Sequence, residues 1–182
     1  LGGDVTDVLN QIQQAPPALQ QQEDQGQFAG EDEYELFAST VLGSNNQMWS
    51  AIFTENNRTY QEPTLVLFRS ATPSGCGMST SQVGPHYCPL DNTIYLDETF
   101  FDELTTRLGA QGGDVAEAYV ISHEVGHHIQ NLLGTMEQVR DKQQRNPGMA
   151  NDLSIALELQ ADCYAGLWAN YVKEFQIFEP GE

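Results

Sequence analysis

The chain has 182 residues, enough for one domain with a buried core, and its 40% hydrophobic and 18% charged residues are the proportions of a soluble globular protein. Seven Lys and Arg stand against 26 Asp and Glu, a net charge of −19; such a surface repels phosphate backbones and anionic headgroups and argues against nucleic-acid and membrane-surface binding. No stretch reaches the ~20 consecutive apolar residues of a membrane helix, and no basic-then-apolar leader is present, although a start at Leu1 leads us to expect a trimmed chain.

Residues 1–30 read as a linker. Gln11, Gln13, Gln14, Gln20, Gln21, Gln22, Gln25 and Gln27 crowd around Pro16 and Pro17, and so polar a segment buries too little surface to offset its ordering entropy; only Asp4–Gln14 has the makings of a short helix. The domain proper runs over 31–182. Tyr34, Phe37, Ala38, Val41 and Leu42 have helical spacing, which Gly43 is expected to stop. Ser44 with Gln47 has capping-box form and predicts a second helix through Met48, Trp49, Ile52 and Phe53. Thr64–Arg69 and Thr93–Leu96 are short, β-branched and aromatic runs bounded by turn residues, and read as strands. Asp97 then caps a predicted helix over Glu98–Leu108, ended by Gly109. Two long helices follow: one capped by Asp114 and running to Leu133 before Gly134, the other capped by Asn151 or Asp152 and running to Lys173. Helices, a small sheet and two further helices make an α+β arrangement without internal repeats.

Two of the three cysteines, Cys76 and Cys88, bracket the turn-rich segment SGCGMSTSQVGPHYCP. A disulfide between them would close a short loop, contribute roughly 3 kcal/mol and imply an oxidising, extracytoplasmic compartment. The alternative is two unrelated thiols in a cytosolic protein. With no CxxC pair in the chain, a zinc ribbon is the weaker reading. Cys163, alone in a helical pattern, reads as a buried inert thiol.

The first long helix contains His123-Glu124-Val125-Gly126-His127, an HExxH motif that a chain of this length would meet by chance roughly 2% of the time. Residues four apart lie on one helix face, so both imidazoles can grip a single Zn²⁺. Glu124 projects beside them, placed to take a proton from metal-activated water. A catalytic zinc needs a third protein ligand. The metzincin extension would put a glycine and a histidine where Gln130 and Leu133 stand, so that class is excluded. The second long helix offers Glu158 and Asp162, four apart on one face: Glu158 as third ligand, Asp162 bonded to the far nitrogen of a ligand histidine. Gly126, Ala165, Gly166 and Ala169 are small enough to let the two helices close on one ion. His128 points about 100° away from the motif face and reads as a surface residue or as support for a ligand. His86 reads as structural or exposed, Tyr87 and Tyr164 as packed rings rather than oxyanion donors, and Trp49 and Trp168 as core.

These residues resemble the bacterial neutral zinc metallopeptidase family, gluzincin-like zincins. The likeness rests on HEVGHH, on GCGMSTSQVGPHYCP followed by DNTIYLDETFF, and on LELQADCYAGLWA, and extends from about Glu31 to the C-terminus. It implies a zincin-like α+β fold, a small sheet packed on helices with the metal carried by the HExxH helix and the ExxxD helix. It implies Zn²⁺ held by His123, His127 and Glu158, with Glu124 as general base and Asp162 behind a ligand. The substrate would be a peptide or protein, aligned along a sheet edge for which Thr93–Leu96 or a neighbouring strand is the candidate. The resemblance further implies a cell-envelope protein touching the membrane only through an N-terminal anchor outside this chain, and a longer C-terminal region. Two rivals stand beside it: an extracytoplasmic scaffold with a non-catalytic zinc, which leaves Glu124 without a role, and a deformylase-like hydrolase, which requires Cys76 or Cys88 at the metal.

Overall fold

The computed structural model of the protein describes residues 33–100 and 114–173; the expected linker over 1–30, most of the helix expected over 98–108 and the C-terminal end lie outside them. Helix α1 (Glu33–Glu55) is one continuous element, where the sequence predicts a break at Gly43. Ser44 does not cap forward. Its Oγ donates back to Val41 O at 2.7 Å and accepts from Trp168 Nε1 at 2.8 Å, while Asn45 Nδ2 donates to Val41 O at 3.0 Å and to Ser122 Oγ at 2.9 Å. A mid-helix glycine costs about 1 kcal/mol, and the buried Val41, Met48 and Trp49 on either side of Gly43 offset it.

Five strands follow: β1 (Thr64–Phe68), β2 (Ala71–Ser74), β3 (Gly77–Thr80), β4 (His86–Cys88) and β5 (Thr93–Asp97). β1 and β5 are the strands the sequence predicts. The others are too short and too polar to show an apolar alternation. β5 is central, parallel to β1 and antiparallel to β4, and every residue of it is buried. Its alternation serves two layers: Ile94 and Leu96 join Leu65, Leu67 and Tyr87 in the main core, while Tyr95 turns to the other face with Phe68 and Cys88. The strand suggested to align a substrate therefore has both edges paired, and β4 is the edge of this sheet on the side of the HExxH helix.

β2 and β3 form a hairpin whose tip carries Cys76, disulfide-bonded to Cys88 at the end of β4 with a Cα–Cα distance of 5.8 Å. Asp91 pins the same tip: its Oδ2 accepts from the Gly75 amide at 2.6 Å and the Tyr95 hydroxyl at 2.8 Å, its Oδ1 from the Thr93 amide at 3.1 Å. A Cβ on Gly75 would lie 2.9 Å from Asp91 Oδ2, so a larger residue there would push the Asp91 side chain from its place. Asp97, expected to cap a helix beginning at Glu98, ends β5 instead; Glu98 and Thr99 form a turn in which its Oδ1 accepts from the Thr99 amide at 2.8 Å, and it also takes the Ser81 hydroxyl.

Helix α2 (Asp114–Leu132) sets Ala118, Ile121, Val125 and Ile129 into the core at three- and four-residue spacing. After Gly134 (φ 74°) the chain reverses into α3 (Thr135–Arg145), a polar helix with no fully buried residue and hence no apolar stripe to read in advance. A 3₁₀ turn (Pro147–Met149) leads into α4 (Ala150–Lys173), which buries Ala161, Ala165, Trp168 and Val172. The arrangement is α+β with a small mixed sheet, and among the described residues no helix is long and apolar enough to cross a membrane.

Two measurements check this frame. Non-reduced, denatured protein treated with an alkylating reagent should take one label, at Cys163; labelling of all three cysteines in protein purified without reductant would contradict the bond. Asp91 offers the second. Burial alone would raise its carboxyl, but the Gly75 amide, the Tyr95 hydroxyl and Thr93 outweigh it and hold the group below the ordinary carboxylate range. A carboxyl depressed in the folded state adds stability above its unfolded pKa, and that stability is lost as pH falls through the folded value. Asp91→Asn should cost about 1–3 kcal/mol at pH 7 in urea denaturation, with the gap to wild type narrowing below about pH 4.

Candidate metal centre

The site sits between α2 and α4. Gly126 makes it possible: a Cβ there would lie 2.9 Å from Ala161 O and 3.0 Å from Ala161 Cα, so the two backbones touch with nothing between them. Ala161 makes this contact, and Ala165, one turn further along α4, is likewise fully buried; Gly166 and Ala169, which the sequence also suggests, face solvent.

His123 and His127 stand one turn apart on the α4-facing side of α2. Their Nε2 atoms lie 3.2 Å and 3.4 Å from Glu158 Oε2. One donor atom from each of the three residues falls within 4.8 Å of the others, and among the described residues this group could hold a metal ion. The chemistry of the set, two imidazole nitrogens and a carboxylate oxygen, suits Zn²⁺.

Each imidazole is held from behind. His123 Nδ1 donates to Asp162 Oδ1 at 2.8 Å, and the same oxygen accepts from the Tyr119 hydroxyl at 2.6 Å. That hydroxyl, aided by His123 against the opposing effect of burial, holds the Asp162 carboxyl below its ordinary pKa. His127 Nδ1 lies 2.9 Å from Gln130 Oε1. The sequence reading includes Asp162 but misses Tyr119 and Gln130. The spacing holds the signal: Tyr119 is four residues before His123 and Gln130 three after His127, each on its histidine's face.

Glu124 is buried at 6% exposure, and among the described residues its Oε2 has no hydrogen-bond partner. Burial pushes its pKa up to about 7, with His127 pulling down, Glu158 pushing up and the Tyr87 amide pulling down. An unpartnered, buried carboxyl oxygen beside a cluster of potential ligands fits a group that works on water rather than one that binds metal.

Other expected residues are placed differently. His128 is fully buried rather than at the surface: Gln61 O accepts from its Nε2 at 2.7 Å, its Nδ1 lies 3.0 Å from the Tyr87 hydroxyl, and burial lowers its pKa. Asn131 Nδ2 donates to that hydroxyl at 3.0 Å, and the hydroxyl donates to Asn92 Oδ1 at 2.9 Å, so Tyr87 is an anchor between α2 and the sheet. His86 is structural as expected, its ring stacked on Tyr95 and its Nε2 2.9 Å from Ser79 Oγ. Tyr164 packs edge-on against Trp49. Cys163 is exposed rather than buried, because the α2 contact falls on the face of Ala161 and Ala165. Cys76 and Cys88, being disulfide-bonded, present no thiolate to a metal.

An HExxH helix backed by a helix that lends a glutamate defines a class of metal centre, and comparison with known proteins gives the family. The sequence pattern described as "Putative neutral zinc metallopeptidase" matches residues 1–182, and the chain belongs to that family. It is 42% identical over 175 residues to the protein named "Uncharacterized protein YpfJ" of Escherichia coli (strain K12), covering 96% of this chain and 61% of that protein. It is 47% identical over 112 residues to "Uncharacterized protein Rv2575" of Mycobacterium tuberculosis (strain ATCC 25618 / H37Rv), covering 62% of this chain and 37% of that one. The chain thus spans about three fifths of the Escherichia coli relative. No solved structure matches it significantly.

The backbone contact at Gly126 can be tested directly. Since the atoms nearest an added Cβ belong mainly to the Ala161 backbone, they cannot rotate away, and Gly126→Ala should cost about 1–3 kcal/mol. Thermal unfolding should show a loss of several degrees; an unchanged midpoint would mean that the helices part at little cost.

Proposed function

We propose that this chain carries the zinc centre of an extracytoplasmic peptidase, with His123, His127 and Glu158 as ligands and Glu124 as general base. The observation that carries the reading is the convergence of two imidazole Nε2 atoms and one carboxylate beside a buried carboxyl whose Oε2 has no partner among the described residues. Zinc, when bound there, supplies Lewis acidity, polarising the scissile carbonyl and making water nucleophilic near neutral pH. Glu124 takes the proton of the attacking water and returns it to the leaving amine. Asp162 keeps the His123 imidazole turned toward the ligand site. A peptide substrate would add as a further strand at the edge of β4, a reading supported by its position at one end of the β1-β5-β4 sheet. The Cys76–Cys88 bond supports the extracytoplasmic setting. Attachment to the envelope through an N-terminal membrane segment belongs to the same proposal and rests on the family resemblance.

Glu124→Gln keeps size and leaves the three ligands untouched. Zinc content by elemental analysis should be unchanged, while cleavage of a broad peptide library should fall by ~10²–10⁴-fold. His123→Ala should lose both zinc and cleavage. Equal cleavage by wild type and Glu124→Gln would overturn the mechanism.

A further inference from the structure

Gln130 is an amide with no exposure, bonded on both sides. Its Nε2 lies 2.6 Å from Leu157 O and 3.1 Å from Gln160 Oε1, and its Oε1 lies 2.9 Å from His127 Nδ1. We propose that Gln130 is a positioning residue of the metal centre, fixing the tautomer of His127 and tying its ring to the backbone of the helix that carries Glu158. The inference rests on the zinc reading and extends it to a residue outside the ligand set.

The argument runs through hydrogen-bond polarity. A main-chain carbonyl only accepts, so the group facing Leu157 O must be the NH₂ of Gln130. The amide cannot flip without setting its own oxygen against that carbonyl. Its Oε1 is therefore committed to His127, and an oxygen at 2.9 Å requires the hydrogen to sit on His127 Nδ1. In an imidazole carrying one hydrogen, Nε2 then keeps its lone pair, and Nε2 is the atom that points to Glu158 Oε2 at 3.4 Å. The opposite tautomer would aim an N–H where a ligand lone pair is needed. The same amide also sets distance. Leu157 precedes Glu158, so the bond from Gln130 joins the His127 side of α2 to the backbone next to the third ligand.

The test uses the full chain. With the histidines labelled with ¹⁵N, zinc-free wild type at pH 8 should show His127 protonated at Nδ1; a hydrogen on Nε2 overturns the proposal without any variant. Gln130→Met keeps the length and removes both the acceptor and the donor. Its zinc affinity, measured by competition with a chromophoric chelator, should fall 10–100-fold, with far-UV circular dichroism unchanged. A folded Gln130→Met that binds zinc as tightly as wild type overturns the proposal while leaving the zinc reading intact. Wild type that binds no zinc overturns the zinc reading and this inference with it. Should Gln130→Met fail to fold, the wild-type tautomer decides.

Discussion

The backbone contact between Gly126 and Ala161 is the constraint on which the rest depends. Helix axes are ordinarily kept 8–10 Å apart by the side chains between them. Here one position has no side chain and the facing one has only a methyl group. That closeness lets a glutamate on α4 reach two histidines on α2, and lets Asp162 and Gln130 make direct bonds across the interface rather than through water. Move the helices apart by the width of a methyl group and each of those bonds is stretched together.

The polar groups of the interface form two parallel chains of donors and acceptors. In one, the Tyr119 hydroxyl leads through Asp162 to His123. In the other, the carbonyl of Leu157 leads through Gln130 to His127. Both chains deliver the hydrogen to Nδ1 and leave the two Nε2 atoms convergent. Histidines held this way lose little freedom when an ion binds, because their ring orientations are already set in its absence. Two different residue types, a carboxylate and an amide, reach this result because each can present an oxygen to an N–H.

Much of the site was legible because its signals are local. The HExxH spacing, the ExxxD pair and the small residue within the motif all follow from helix periodicity, and α2 and α4 lie close to where that periodicity puts them. Where the sequence misled, tertiary contacts had overridden local preference. Gly43 and Ser44 carry the marks of a helix end, but Trp168 and Ser122, far along the chain, bond to Ser44 and Asn45 and hold the helix together. His128 looks like a surface residue until Gln61 and Tyr87 supply partners for both its nitrogens. The strands β2, β3 and β4 owe their existence to pairing, the disulfide and Asp91 rather than to any alternation of their own. These partners of Ser44, Asn45 and His128 lie 67 or more residues away or on another element, beyond the reach of local periodicity.

Two glutamates serve the proposed centre, and their environments separate their roles. Glu158 lies on an exposed stretch of α4, with a side chain 57% accessible and both imidazoles in reach, so its charge is hydrated and it can offer an oxygen to an ion. Glu124 is one residue from His123 yet is buried under β4, where His127 and the Tyr87 amide only partly compensate its charge. Burial there raises its affinity for a proton. What keeps Glu124 buried is the strand above it. Tyr87 is fixed through its hydroxyl to Asn92, with Asn131 and His128 of α2 beside it, and its neighbour Cys88 is fixed to the hairpin tip. The disulfide, far from His123 and His127 in sequence, thus acts one residue away from the strand position that lies against Glu124, the proposed general base.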